Sequence, residues 1–335
     1  MRVVVTGGAG FLGRHLFGKL VARGDRPVAV DLAFEPALPE GVETVRADVT
    51  DRAAMDRALA GADAVIHGAA VTGLWAREPG VFERVNAGGT RTVLAAAAGA
   101  GVARAVLVSS FVTLISGARG DPRRMVDETL ELPPEAMLGP YPRSKRLAEI
   151  AAREAALPTA IAQLPPPIGP GDWALTPPTA MLTDLVNGRI PAMIDCDWAL
   201  VDVRALAGGV LAALERGGHG RRYLLTGEVI DTQGLVRRIE RITGLRGPRA
   251  RVPHAVALAA ARAEEAMARI TGRPPKAPVT GVRLAGPRLG FCNARARGEL
   301  GFEPPPVDAA LRDAILWLRT AGRIARPLPA LDRKS

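Results

Sequence analysis

Tyr141 and Lys145, in the run YPRSK, are the residues of this chain best suited to move a proton. The sequence holds only two tyrosines, so a Lys four places after one of them is not a product of abundance. On a helix, positions i and i+4 share a face. An ammonium beside a phenol favours the phenolate and lowers the phenol pKa from about 10 toward working pH. Such a phenol exchanges a proton with a substrate hydroxyl or carbonyl. Ser109 and Ser110 close the apolar run RAVLVSS, at the carboxyl edge where doubly wound sheets bind ligands. A hydroxyl there can hydrogen-bond the substrate oxygen beside Tyr141. Ser110 is the choice and Ser109 the alternative, so the expected catalytic set is Ser110, Tyr141 and Lys145.

The opposite end of the chemistry lies in TGGAGFLG, which spaces Gly7, Gly10 and Gly13 between an apolar run and a helical pattern. Gly7 allows a tight turn, Gly10 lets backbone approach a pyrophosphate, and Gly13 lets helix and strand pack closely. The free N–H groups of the helix start then face the phosphates. An acid about 20 residues on completes a dinucleotide fingerprint, and here it is Asp31. Its carboxylate can accept from both adenosine ribose hydroxyls and would repel a 2′-phosphate. Leu32, Ala33 and Phe34 supply no Arg for that phosphate, which favours NAD over NADP. Arg14 is the competing observation, although a solvent-facing helix position suits it better. Asp48 and Val49 could hold the adenine edge; a helix N-cap is the other role for Asp48.

These groups need a frame. RVVVT, PVAVDL, VETVRADV, AVIHGAA (64–70) and RAVLVSS (104–110) read as buried strands. Helical spacing separates them: the stretch after Gly13, residues 51–60, and VNAGGTRTVLAAAAGAG. The alternation predicts an α/β fold, a Rossmann-type doubly wound parallel sheet with a smaller C-terminal substrate-binding α/β region. Residues 1–163 form the expected NAD-binding part. Residues 164–330 form the expected substrate-binding region, partly interleaved with the first. A helix runs past Lys145 to about Ala156, followed by the strand TAIAQL. The proline-rich stretch 164–178 reads as an ordered loop or lid rather than more sheet. RYLLTG is a further strand, and DTQGLVRRIERITG, residues 254–270 and residues 307–319 are helices. His67 reads as a buried strand residue, not a catalyst.

Composition narrows the class. Of 335 residues 48% are hydrophobic and 23% charged, enough for a packed core and incompatible with disorder. Cys196 and Cys292 cannot build a disulfide framework or a four-Cys zinc site, and the four histidines lack ligand spacing, so no metal is expected. A cytoplasmic setting is expected. The N-terminus has no signal-peptide pattern, and no apolar stretch reaches the ~18 residues of a membrane span. The net charge is +10; a solvated Arg-rich surface is the favoured explanation, and an anionic substrate, an anionic membrane surface or nucleic acid are the alternatives. The arginines lack the interleaved aromatics of a single-strand nucleic-acid platform, so no nucleic-acid partner is expected. Helix 254–270 is too charged to span a bilayer, which leaves peripheral association through a surface-lying amphipathic helix.

TGGAGFLG, ADVTD, VIHGAA, VNAGGT, LVSS, YPRSK and IGPGD, in that order over residues 1–172, resemble an extended short-chain dehydrogenase/reductase of the NAD-dependent epimerase/dehydratase family. RYLLTG, ARGELGFEPPP and LRDAILWLR extend a weaker likeness to about residue 320. LWAREPG, PPPIGPGDWALTPP and LVNGRIPAMID are similar to the dihydroflavonol-reductase-like and hopanoid-associated epimerase-like branch. YPRSKRLAE and VDLAFEP are similar to 3β-hydroxysteroid dehydrogenases. The resemblance implies NAD contacts at Gly7, Gly10, Phe11, Leu12, Asp31, Asp48, Val49, Ala69, Ala70, Asn86, Ser109, Tyr141, Lys145 and Leu164. It also implies the Ser–Tyr–Lys set and a homodimer.

Two departures matter. Many sugar-nucleotide members carry R-D-[FY]-[IV]-H-V-x-D, whose Arg binds phosphates. This chain has Cys196-Asp197-Trp198-Ala199-Leu200-Val201-Asp202-Val203 there, and Cys cannot replace a bidentate phosphate binder. The loop that usually opens Arg-Pro-Gly opens Gln163-Leu164-Pro165. Both favour a small, fairly apolar substrate, with Trp75, Phe111, Pro166 and Trp173 as pocket candidates. The expected activity is interconversion of a secondary alcohol and a ketone with NAD, on a steroid-, terpenoid- or polyketide-like molecule or an unactivated sugar. The alternatives are an NAD-dependent sugar or sugar-nucleotide epimerase/dehydratase and, last, a non-catalytic nucleotide-sensing scaffold.

Overall fold

The structure, a computed structural model, describes residues 1–117, 125–286 and 288–332. The apolar runs become parallel strands: β1 (Arg2–Thr6), β2 (Arg26–Asp31), β3 (Glu43–Arg46), β4 (Ala64–His67), β5 (Arg104–Ser110), β6 (Thr159–Leu164) and β7 (Arg222–Leu224). They form one sheet in the order β7-β6-β5-β4-β1-β2-β3. The order reverses between β1 and β4, where Val3–Thr6 pair with Ala64–His67, and ligands bind doubly wound sheets at that crevice. Val3, Val4 and Val5 are 0–1% exposed because helices cover both faces. Each such burial contributes about 1.5–3 kcal/mol.

On one face lie α1 (Phe11–Ala22) and α5 (Val203–Arg216), whose Leu16, Phe17, Leu20, Leu206 and Val210 meet the sheet. On the other lie α2 (Arg52–Leu59), α3 (Gly89–Gly99) and α4 (Pro140–Glu154), through Met55, Leu59, Val93, Leu94 and Ala148. Past β6 a separate core gathers Leu182, Leu185, Leu235, Ile239, Leu311 and Ile315. It draws on α6 (Thr232–Thr243) and α9 (Asp308–Thr320), with α7 (His254–Thr271) and α8 (Val279–Leu284) to one side. Asp231 caps α6 by accepting from the Gly234 N–H, and Gly244 ends it at φ +76°. α5 and β7 return from this half of the chain to the main sheet.

Several expected boundaries move. The third strand covers only Glu43–Arg46. The fourth stops at His67, since the Ala69 N–H leaves the ladder for the Thr6 hydroxyl. A π-helical turn, Glu83–Gly88, precedes α3. The proline-rich stretch is not only loop: Pro167–Ile168 pairs in parallel with Val201–Asp202. Proline is tolerated there because it opens the strand, where a missing N–H costs least.

Candidate active site

The first turn of the sheet is shaped for backbone rather than side chains. Gly7 sits at φ +71°, and a Cβ on it would lie 2.7 Å from the Ala69 amide nitrogen. A Cβ on Gly10 would be 3.0 Å from the Gly7 carbonyl oxygen, and one on Gly13 would be 2.4 Å from the Gly8 carbonyl oxygen. α1 opens without a side-chain cap and without an acid in its first turn. Its leading N–H groups and positive end are left to a phosphate. Phe11 is buried edge-on against His15, and Leu12 is half-buried. Asp31 accepts from the Ala9 N–H at 3.0 Å and the Leu32 N–H at 2.8 Å, which fixes its carboxylate beside the turn. A glycine cradle, an open helix end and a fixed carboxylate fit a dinucleotide. Ala69 and Ala70, half-buried, follow β4 at the same crevice.

Two expectations change here. Arg14 is not simply solvent-facing: its guanidinium donates to the carbonyls of Ala9, Ala37 and Pro36. It straps segment 36–37 to the turn, and burial lowers its pKa while Asp31 opposes that shift. Asp48 does not cap α2; Asp51 does, accepting from the Ala54 N–H. Asp48 instead holds the Thr50 N–H and hydroxyl, both at 2.8 Å. Val49 is buried against Gly89, where a Cβ would come within 2.9 Å.

At the ends of β5 and α4 the groups expected to handle the proton converge. Tyr141 is half-buried, its ring edge-on to Phe82 with centroids 6.2 Å apart, and the Ser110 side chain lies near enough to its hydroxyl to ease its pKa downward. Lys145, 5% exposed, donates to the Val108 carbonyl at 2.7 Å. Burial pushes its pKa down to about 8, against the pull of Glu149. The expected depression of the phenol is not what this geometry gives. Burial raises the Tyr141 pKa and the neighbouring Ser110 side chain offsets it in part. The other tyrosine, Tyr223, is fully buried and bonded to Glu299.

The two serines diverge. Ser110 turns to Tyr141, while Ser109, 3% exposed, gives its hydroxyl to Glu149 at 2.6 Å. Glu149, fully buried, also accepts from Thr113 and Gln163 at 3.0 Å each and from Arg146 at 3.2 Å. No local pattern announced this cluster, because its members lie on β5, the 3-10 turn after it, α4 and β6. Asn86 is committed as well: its amide links the Val71 backbone to the Ser144 hydroxyl. His67 lies between the hydroxyls of Thr6 at 2.7 Å and Thr90 at 3.1 Å. Burial drops its pKa to about 3, so it is a neutral core residue.

The substrate candidates part company. Phe111, directly after Ser110, meets Phe291 edge-on at 5.4 Å within an apolar cluster that includes Leu138, Leu284 and Leu289. Leu164 pairs with Ser110 across the sheet, and Pro166 is half-buried two residues on. Trp75 is half-buried, next to Leu74, which lies against Gly281 of α8. α8 also abuts Gly139 through Thr280, immediately before the helix of Tyr141. Sequence patterning missed α8 because it is only six residues long. Trp173 makes its ring contact with Trp317 of α9, and its loop packs on α1 through the bond between His15 and the Pro170 carbonyl. It is not gathered with Phe111. Cys196 is 4% exposed, its amide bonded to Thr232, and burial pushes its thiol up to about 11. Arg288, the nearby cation, is engaged by Asp195 at 2.6 Å and Asp197 at 3.8 Å.

The profile of the NAD dependent epimerase/dehydratase family matches residues 3–225. The chain is 32% identical to the 4-hydroxy-2-methyl-3-oxo-4-farnesyl-3,4-dihydroquinoline-1-oxide ketoreductase of Stigmatella aurantiaca, over 98% of this chain and 99% of that one. It is 29% identical to sterol demethylase protein B of Methylococcus capsulatus, over 97% of this chain and all of that one. Among solved structures, a nucleoside-diphosphate-sugar epimerase from Pseudomonas aeruginosa superposes with a TM-score of 0.77 at 27% identity, covering 97% and 99% of the two chains.

Proposed function

Because the chain belongs to the NAD-dependent epimerase/dehydratase family, we propose that it is an NAD-dependent reductase/dehydrogenase interconverting a secondary alcohol and a ketone on a fairly apolar substrate. The observation that carries this reading is the convergence of the Ser110 and Tyr141 hydroxyls beside the apolar cluster around Phe111. NAD, when bound, supplies or accepts the hydride. Gly7, Gly10 and the open end of α1 would hold its phosphates, Asp31 the adenosine ribose, and Lys145 the ribose at the reacting end. Tyr141 gives its proton to the carbonyl oxygen in reduction and takes it back in oxidation. Ser110 orients that oxygen. Lys145, charged below about pH 8, steadies the phenolate left after transfer.

The substrate class rests on what the pocket side lacks. Where a diphosphate binder would stand, Cys196 is buried and neutral, and Arg288 is held by acids. A ketoreductase of a farnesylated quinoline and a sterol demethylase protein among the relatives point the same way. A panel of apolar secondary alcohols and UDP-glucose, each incubated with NAD, tests the proposal. NADH formed from an alcohol supports it. Turnover of UDP-glucose without net NADH would establish the epimerase alternative instead.

A further inference from the structure

α7 is an 18-residue helix that buries only Ala257, Ala261 and Ala268. At 3.6 residues per turn, Val256, Ala259, Ala260, Ala263, Met267 and Ile270 fall on one stripe, and all are exposed. Val256, Met267 and Ile270 are 57%, 58% and 81% exposed, at the two ends of a stripe about 21 Å long. Isolated surface apolar residues need no explanation, but an aligned set on one helix face does.

The charges around this stripe are lopsided. Residues 254–283 carry Arg262, Arg269, Arg273, Lys276 and Arg283 against two acids, Glu264 and Glu265. Both acids are spent on backbone. Glu264 accepts from the N–H groups of Lys276 and Ala277 at 3.0 and 3.3 Å, and Glu265 from that of Val279 at 2.8 Å. Among the described residues, none of the five cations has an acidic partner. Arg262 and Arg269, seven apart, line one flank of the stripe.

We propose that α7 docks on an anionic lipid surface, with Val256, Met267 and Ile270 in the interface and Arg262 and Arg269 at the headgroup phosphates. An apolar face bordered by cations is the pattern of an interfacial helix, and each cation near an anionic leaflet adds about 1 kcal/mol. A second copy of this chain suits the surface poorly, since it would bring the same unpaired cations. Among the described residues no helix is long and apolar enough to cross a membrane, so the contact is peripheral. α7 packs on α8 through Ala257, Ala261 and Val282, and α8 touches Gly139 and Leu74 at the candidate site. Docking would therefore bring lipid beside the mouth of the site. That last link rests on the apolar-substrate reading; the docking itself does not.

The test is co-sedimentation of the full chain with vesicles of equal parts phosphatidylglycerol and phosphatidylcholine, beside vesicles of phosphatidylcholine alone. Binding is expected only to the anionic vesicles, weakened at least tenfold by the double variant Met267→Glu/Ile270→Glu and by Arg262→Glu/Arg269→Glu. NAD affinity should be unchanged in both, which shows that they fold. Absence of vesicle binding, or binding indifferent to both variants, overturns the proposal. So does concentration-dependent self-association abolished by Met267→Glu/Ile270→Glu, because a second copy then covers the face. Vesicle binding without turnover of any apolar alcohol would sink the substrate reading and leave the docking intact.

Discussion

The two ends of the site are built on different principles. At the β1–α1 turn the backbone does the work: Gly7, Gly10 and Gly13 leave no room for a side chain, and Asp31 is fixed by two N–H groups. At the proposed substrate side, apolar side chains from the 3-10 turn after β5, the loop before α4, and the segment around α8 meet at Phe111. The first region can hold one kind of ligand, because fixed N–H groups and a carboxylate ask for phosphates and a diol. The second can be repacked for many, because apolar contact is non-directional. The difference explains why one fold serves ketoreductases and sugar-nucleotide epimerases alike.

Substitutions should separate the two regions. The largest effect is expected at the turn: a Gly7→Val side chain would collide with Ala69, and NAD affinity should fall more than ~100-fold by fluorescence titration. Next come the paired serines. Ser110→Ala should cut kcat about 100-fold with NAD affinity kept. Ser109→Ala should instead lower stability by roughly 1–3 kcal/mol in denaturant titration, because it strips Glu149 of a buried donor. Equal kinetic losses from both would erase the distinction drawn between them.

The pH response is smaller. Since the Lys145 ammonium is lost as pH rises through about 8, reductase activity should decline above that value, by about tenfold per unit at the limit. The linkage to stability has the opposite sign. The unfolded chain binds this proton up to about 10.4, so folding stability should rise with pH between about 8 and 10.4. Lys145→Met should flatten that rise. The smallest effect is expected at Cys196→Ala, less than about twofold in KM for an apolar substrate. A loss of more than tenfold there would mean that the buried thiol's neighbourhood touches substrate after all.

The sequence made the turn legible because its requirements are local: spacing, φ and the adjacent acid all fall within about 25 residues of one another. The Tyr141–Lys145 pair was legible for the same reason, yet its electrostatics were not. The sign of the phenol shift depends on burial, which no spacing reveals. Asp48 and Asp51 compete for one cap three residues apart, a choice that boundary-level pattern cannot make. Glu149 with Ser109, Thr113 and Gln163, and α8 with Gly139, assemble from distant segments, so neither was visible. Trp173 was drawn to the pocket by its neighbours in sequence, but ring packing takes it to Trp317.

The central claim is that Tyr141 moves the proton while a bound NAD exchanges the hydride. Single-turnover hydride transfer between NAD and a turned-over alcohol, measured for the wild type and Tyr141→Phe alongside NAD affinity, tests it most directly. Transfer should fall by about 10²–10⁴ with NAD binding intact. A Phe variant that transfers hydride at the wild-type rate, or a wild-type chain that takes up no NAD, would contradict it.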